Sequence, residues 1–173
     1  ATRAHVLLKM GRDPEARADL DRLVATDSLN AQGRYLRGLL ALAANDDSIA
    51  SADFDVLEKL DPEGLATAIG KASLLTKHGR AAEALPYLRR MASLDPQPEH
   101  YAVLAETLLS LGNLSEAGET IKTGMEKYPD NADLYFCRAK LHRDLYELDR
   151  AREDAKKALR LGIPRDKIKE LKL

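Results

Sequence analysis

The chain has 173 residues, 45% hydrophobic and 32% charged, with a formal net charge of −1 and no tryptophan. This balance is too apolar for a disordered chain and too charged for a membrane protein, and it gives no overall attraction to nucleic acid or anionic lipid. No apolar run approaches the roughly 18 residues of a membrane span, and the single cysteine, Cys137, excludes an internal disulfide framework.

Apolar residues recur at helical spacing along the whole chain, broken by turn signals. Ala1 to Met10 and Pro14 to Ala25 read as a clipped pair of helices around Gly11. Ala31 to Ala44 and Ser48 to Leu60 follow, joined at Asn45-Asp46 and ended by Asp61-Pro62. Leu65 to Lys77 and Ala81 to Leu94 flank Gly79 and stop at Asp95-Pro96. Pro98 to Leu111 turns at Gly112-Asn113 into Ser115 to Lys127, which ends at Tyr128-Pro129. Asp130-Asn131 supplies a starting signal for Ala132 to Leu145, and Tyr146-Glu147 makes the turn into the last amphipathic helix. Gly162-Ile163-Pro164 stops that helix, because proline disfavours helix in the residue before it. Residues 165–173 read as the start of a capping helix.

A small residue marks the second helix of every pair: Ala16, Ala50, Ala84, Ala117 and Ala151, at intervals of 34, 34, 33 and 34 residues. Another marks each first helix, at Ala4, Gly38, Ala72, Ala105 and Ala139. Small side chains at a fixed period let helices pack near the short end of the usual 8–10 Å separation. With the Gly or Asn at positions 11, 45, 79 and 112 and the prolines 62, 96 and 129, this pattern resembles the tetratricopeptide repeat family over essentially the whole chain. The resemblance implies an all-α fold, a right-handed α-solenoid of tandem antiparallel helix hairpins. It forms a single domain over 1–173, with units at about 1–30, 31–64, 65–97, 98–131 and 132–164. Arg34 and Arg37 depart from the pattern, standing where large apolar residues are usual, and Tyr146 replaces a glycine. The second hairpin is therefore expected to pack less tightly or to cover a polar neighbour.

In the family resembled, first helices line a concave face that receives a peptide or partner helix. The expected groove residues are Tyr35, Leu39, Leu42, Ile69, Ser73, Lys77, Val103, Glu106, Phe136, Lys140 and Arg143. His5, Leu8, Lys9, Thr76 and Ser110 share that face. Tyr35, Leu39 and Leu42 form one stripe, either covered by a neighbouring helix or open as a pocket. Lys140 and Arg143 read as a solvated face or as receivers of a partner carboxylate. All four asparagines fall at turns or helix starts, which argues against the chaperone-tail clamp of this family.

Candidate chemistry is sparse. His5, His78, His100 and His142 are scattered without metal-ligand spacing, and Cys137 reads as a small structural residue rather than a nucleophile. Asn113-Leu114-Ser115 matches a glycosylation sequon, but Ser115 reads better as a helix-starting residue. The basic stretch 156–173 reads as a helix end with a polar cap, with an acidic partner or nucleic acid as the alternative. The expectation is a non-catalytic scaffold without cofactor, metal, nucleic acid or membrane insertion, binding a protein or peptide. A structural spacer, a self-associating homo-oligomer, or a regulatory region of a larger enzyme or secretion or assembly protein are the alternatives. The abrupt start at Ala1-Thr2-Arg3 suggests a fragment of a longer protein, so the slight preference for a cytoplasmic location leaves the periplasm open.

Overall fold

The computed structural model describes residues 2–173, which form eleven α-helices and no strand. They are α1 (Thr2–Lys9), α2 (Asp13–Thr26), α3 (Ala31–Ala43), α4 (Asp47–Leu60), α5 (Leu65–Lys77), α6 (Ala81–Leu94), α7 (Pro98–Ser110), α8 (Leu114–Lys127), α9 (Ala132–Asp144), α10 (Leu148–Arg160) and α11 (Arg165–Lys169). Two compact units divide the chain at Arg90 and Met91, within α6. In the first, α1 packs on α2, α2 on α3, α3 on α4 and α5, and α4 on α5. In the second, α7 packs on α8 and α9, α8 on α9, α9 on α10, and α10 on α11. The second helices α2, α4, α8 and α10 thus each touch their own first helix and the next helix along.

The turn inside each hairpin repeats one geometry. Gly11, Asn45, Gly79, Gly112 and Tyr146 have φ of 69°, 60°, 68°, 75° and 62°, all left-handed. The residue after each donates its N–H to a carbonyl five residues back, as in Arg12 to Leu7 at 2.9 Å, Arg80 to Leu75 at 2.9 Å and Glu147 to His142 at 2.8 Å. That bond satisfies a carbonyl the helix end would otherwise orphan. Asn30 and Asn131 cap α3 and α9, their side-chain oxygens accepting from Gly33 and Leu134 at 2.8 and 3.0 Å.

The marker alanines 16, 50, 84, 117 and 151 are all fully buried. In the second hairpin the glycine pattern goes further. A Cβ on Gly38 or on Gly70 would lie 2.5 Å from the ring of Phe54, which is itself fully buried. Two bare backbones, on α3 and α5, make the space for that ring.

One local reading needs correction. Asn113, not Ser115, stands at the cap of α8, which begins at Leu114; the Asn113 side chain makes no capping bond, and Ser115 lies inside the first turn. Pro86 sits inside α6, within the expected span of that helix. Lacking an N–H, it leaves one intrahelical bond unmade.

Candidate functional site

On the first unit, Tyr35, Leu39 and Leu42 are half-buried and pack against the cluster of Ala41, Ala50, Phe54, Leu57 and Leu74. Ile69 and Ser73 are half-buried on α5. Lys77 is committed within the chain, its Nζ donating to the Leu42 carbonyl at 3.0 Å and to Asp47 at 2.7 Å. The apolar stripe on α3 is therefore part of the hairpin's own packing as well as its surface.

On the second unit the first helices form a cleft. Glu99, Val103 and Glu106 of α7, Asp133 and Phe136 of α9, and Lys167 of α11 line a volume of about 200 Å³. No second helix contributes to it. Val103 is 36% exposed, whereas Phe136 is only 3% exposed, sealed with Ile163 and Leu171 by the C-terminal turn. Phe136 therefore serves as the floor of the cleft rather than its lip. Lys140 reaches Glu106 at 2.6 Å and lies 4.5 Å above the Phe136 ring, and Arg143 is bonded to Asp144 at 2.8 Å. These two cations are already paired, while the carboxylates of Glu99 and Asp133 face the cleft beside Lys167.

The remaining candidates are structural. The Cys137 thiol is buried, donates to the Ala102 carbonyl at 3.6 Å, and is pushed up to about 12 by its burial. A thiol so held supplies no thiolate near neutral pH. His142 is wedged between Glu147 at 2.6 Å and Asp154 at 3.5 Å. Among the described residues no three His, Cys, Asp or Glu side chains gather as metal ligands would, and no helix is long and apolar enough to cross a membrane.

One arrangement was missed by the pattern of apolar residues. Arg34 and Arg37 of α3 converge on the fully buried Asp53 of α4, with bonds of 2.7 Å from Arg34 and 2.8 Å from Arg37. The covered neighbour is thus polar, which explains the two arginines. The bond to Asp53, ahead of the opposing effect of burial, holds the Arg37 guanidinium above its ordinary pKa. Arg138 of α9 grips Asp154 of α10 in the same way at 2.8 and 2.7 Å. Arg3 meets Asp19 at 3.1 Å. The legible signal was a cation and an aspartate sixteen residues apart, repeated at the period of the array.

Residues 2–64 and 75–141 each match a family model described as tetratricopeptide repeat. No curated protein matches the chain significantly. Among solved structures it is similar to YrrB, described as a TPR protein with an unusual peptide-binding site, at 22% identity and TM-score 0.81 over 98% of this chain and 88% of that one. A tetratricopeptide repeat protein from Parabacteroides merdae is 26% identical, with TM-score 0.64 over 98% and 67%. MamA from Desulfovibrio magneticus RS-1 is 19% identical, with TM-score 0.80 over 92% and 91%. These likenesses are of fold, a tandem-hairpin α-solenoid.

Proposed function

The chain belongs to the tetratricopeptide repeat family, and we propose that it is a non-catalytic scaffold receiving a peptide or helix of a partner protein on its first-helix face. The observation that carries this reading is the cleft of about 200 Å³ built from α7, α9 and α11 alone. It combines an exposed apolar contact at Val103 with carboxylates at Glu99 and Asp133 and a cation at Lys167. Such a lining orients a peptide backbone and accepts one apolar side chain. The peptide-binding site of YrrB, a solenoid of the same fold, supports the same use here. The buried Cys137 thiol is held protonated rather than offered as a nucleophile. The near-zero net charge favours a protein ligand over nucleic acid.

Val103 is the residue to change, because Tyr35 and Leu39 also hold the hairpin together. A photo-crosslinking side chain at position 103 is expected to capture one discrete segment of a partner protein. Val103→Asp should abolish affinity recovery of that partner at unchanged helicity. Unchanged recovery would overturn the assignment of this face, and a concentration-dependent dimer in sedimentation would favour self-association instead.

A further inference from the structure

Glu99 of α7 and Asp133 of α9 stand at the same place in successive first helices, 34 residues apart, and both line the cleft at Val103. Seven residues further along each helix, two turns on, the same two helices carry Glu106 and Lys140. At that level the charges are opposite and join at 2.6 Å, with the ammonium 4.5 Å from the centre of the Phe136 ring. At the level of Glu99 the two helices instead present two carboxylates.

Among the described residues neither Glu99 nor Asp133 forms an ion pair or a side-chain hydrogen bond, and Lys167, which lines the same cleft, bonds neither. Two like charges brought to one cleft repel, and a cation between them relieves the repulsion. Each carboxylate also lies in the first turn of its helix, where negative charge is favoured. That explains either residue singly. It does not explain why both line one cleft beside Val103, an apolar side chain 36% exposed.

We infer that the partner segment received in this cleft carries an arginine, set against Glu99 and Asp133, next to the apolar side chain that covers Val103. The inference rests on the peptide-binding reading of the cleft and names the chemistry it selects. Arginine suits the pair because one planar guanidinium bonds two carboxylates at once. In the first unit Arg37 does so with Asp53 and Asp21, at 2.8 and 3.2 Å. A polyamine would satisfy the carboxylates but leave Val103 bare, so the lining favours a basic and apolar peptide over a bare cation.

A displayed library of random dodecapeptides is panned on the whole protein carrying a photoreactive side chain at position 103. Crosslinked peptides are those held in the cleft, and they are expected to be enriched in arginine beside an aliphatic residue. For a selected peptide, replacing its arginine by glutamine should weaken binding by about tenfold or more, the scale of a lost charge-assisted hydrogen bond. Glu99→Gln with Asp133→Asn should weaken the parent peptide similarly. In that variant the arginine-to-glutamine change should have little further effect, an outcome that loss of first-turn charge alone would not produce. The peptide-side change is read on the unaltered protein, so the test survives if the double variant folds poorly.

Crosslinked peptides with no basic preference, or equal losses on both sides of the cycle, overturn this inference and leave the peptide-binding cleft standing. Equal competition by spermine also overturns it, identifying a general cation site. Absence of any crosslinked peptide overturns the cleft assignment itself, and the inference with it.

Discussion

Arg37 holds the buried carboxylate of Asp53 through two hydrogen bonds of 2.8 Å, and its remaining nitrogen reaches Asp21 at 3.2 Å. One guanidinium therefore ties α2, α3 and α4 together. Arg34 completes the cage from the other side at 2.7 Å. Removing one member of a buried ionic cluster leaves the others desolvated and unpaired, which typically costs about 3–5 kcal/mol. Asp53→Ala is expected to lose stability on that scale in urea unfolding. Glu15→Ala, which breaks only the exposed pair with Arg12, should leave the midpoint nearly unmoved. A midpoint for Asp53→Ala close to that of the parent would contradict the cage.

The ring of Phe54 needs both of its glycines. Alanine is the better helix former by roughly 0.5–1 kcal/mol, so propensity alone would have Gly38→Ala and Gly70→Ala stabilise the protein. With a 2.5 Å approach to the ring at each site, overpacking should win, at about 1–3 kcal/mol net. A double-mutant cycle with Phe54→Leu is the check, and the penalty should shrink when the ring is gone.

Tyr146 adopts φ of 62° and is 90% exposed. The left-handed conformation is unfavourable for a side chain with a Cβ, by about 1–2 kcal/mol. Little packing is lost on removing so exposed a ring, so Tyr146→Gly should raise the melting temperature by the equivalent of about 1 kcal/mol, reduced by the extra freedom glycine gives the unfolded chain. Asn45→Gly, at φ 60°, should gain less, because asparagine tolerates this region. Equal gains would point away from backbone strain.

Cys137 sets an alkaline limit. Burial pushes its thiol up to about 12, against an ordinary value of 9.0. Below the lower value both folded and unfolded chains keep the proton, and the buried thiol's contribution is complete. Between the two the unfolded chain releases its proton first, so stability falls as pH rises. Denaturation midpoints from pH 9 upward should decline less steeply in Cys137→Ala than in the parent. The comparison removes the shared titration of tyrosines and lysines. Parallel slopes would contradict the burial of the thiol.

The hairpins were legible in the sequence because alanine spacing and turn residues report local geometry, and every hairpin helix falls within a residue or two of its expected bounds, whereas α11 ends at Lys169. Arg34 and Arg37 were visible as anomalies, but only the fold shows that both aim at Asp53, since their shared target lies on the following helix. The burial of Phe136 escaped for a similar reason. Helical spacing puts it on the first-helix face, yet a short C-terminal turn carrying Ile163 and Leu171 closes over it.

Repeat arrays commonly fray from an extremity, each hairpin leaving when its single neighbour lets go. Phe54 changes that sequence of events in the first unit. Its aromatic wedge is seated simultaneously on the backbones of α3 and α5, so the two cannot separate one at a time. Opening that starts at α1 and α2 is therefore expected to stall there, and the amide protons of α3 and α5 are expected to exchange with the solvent together.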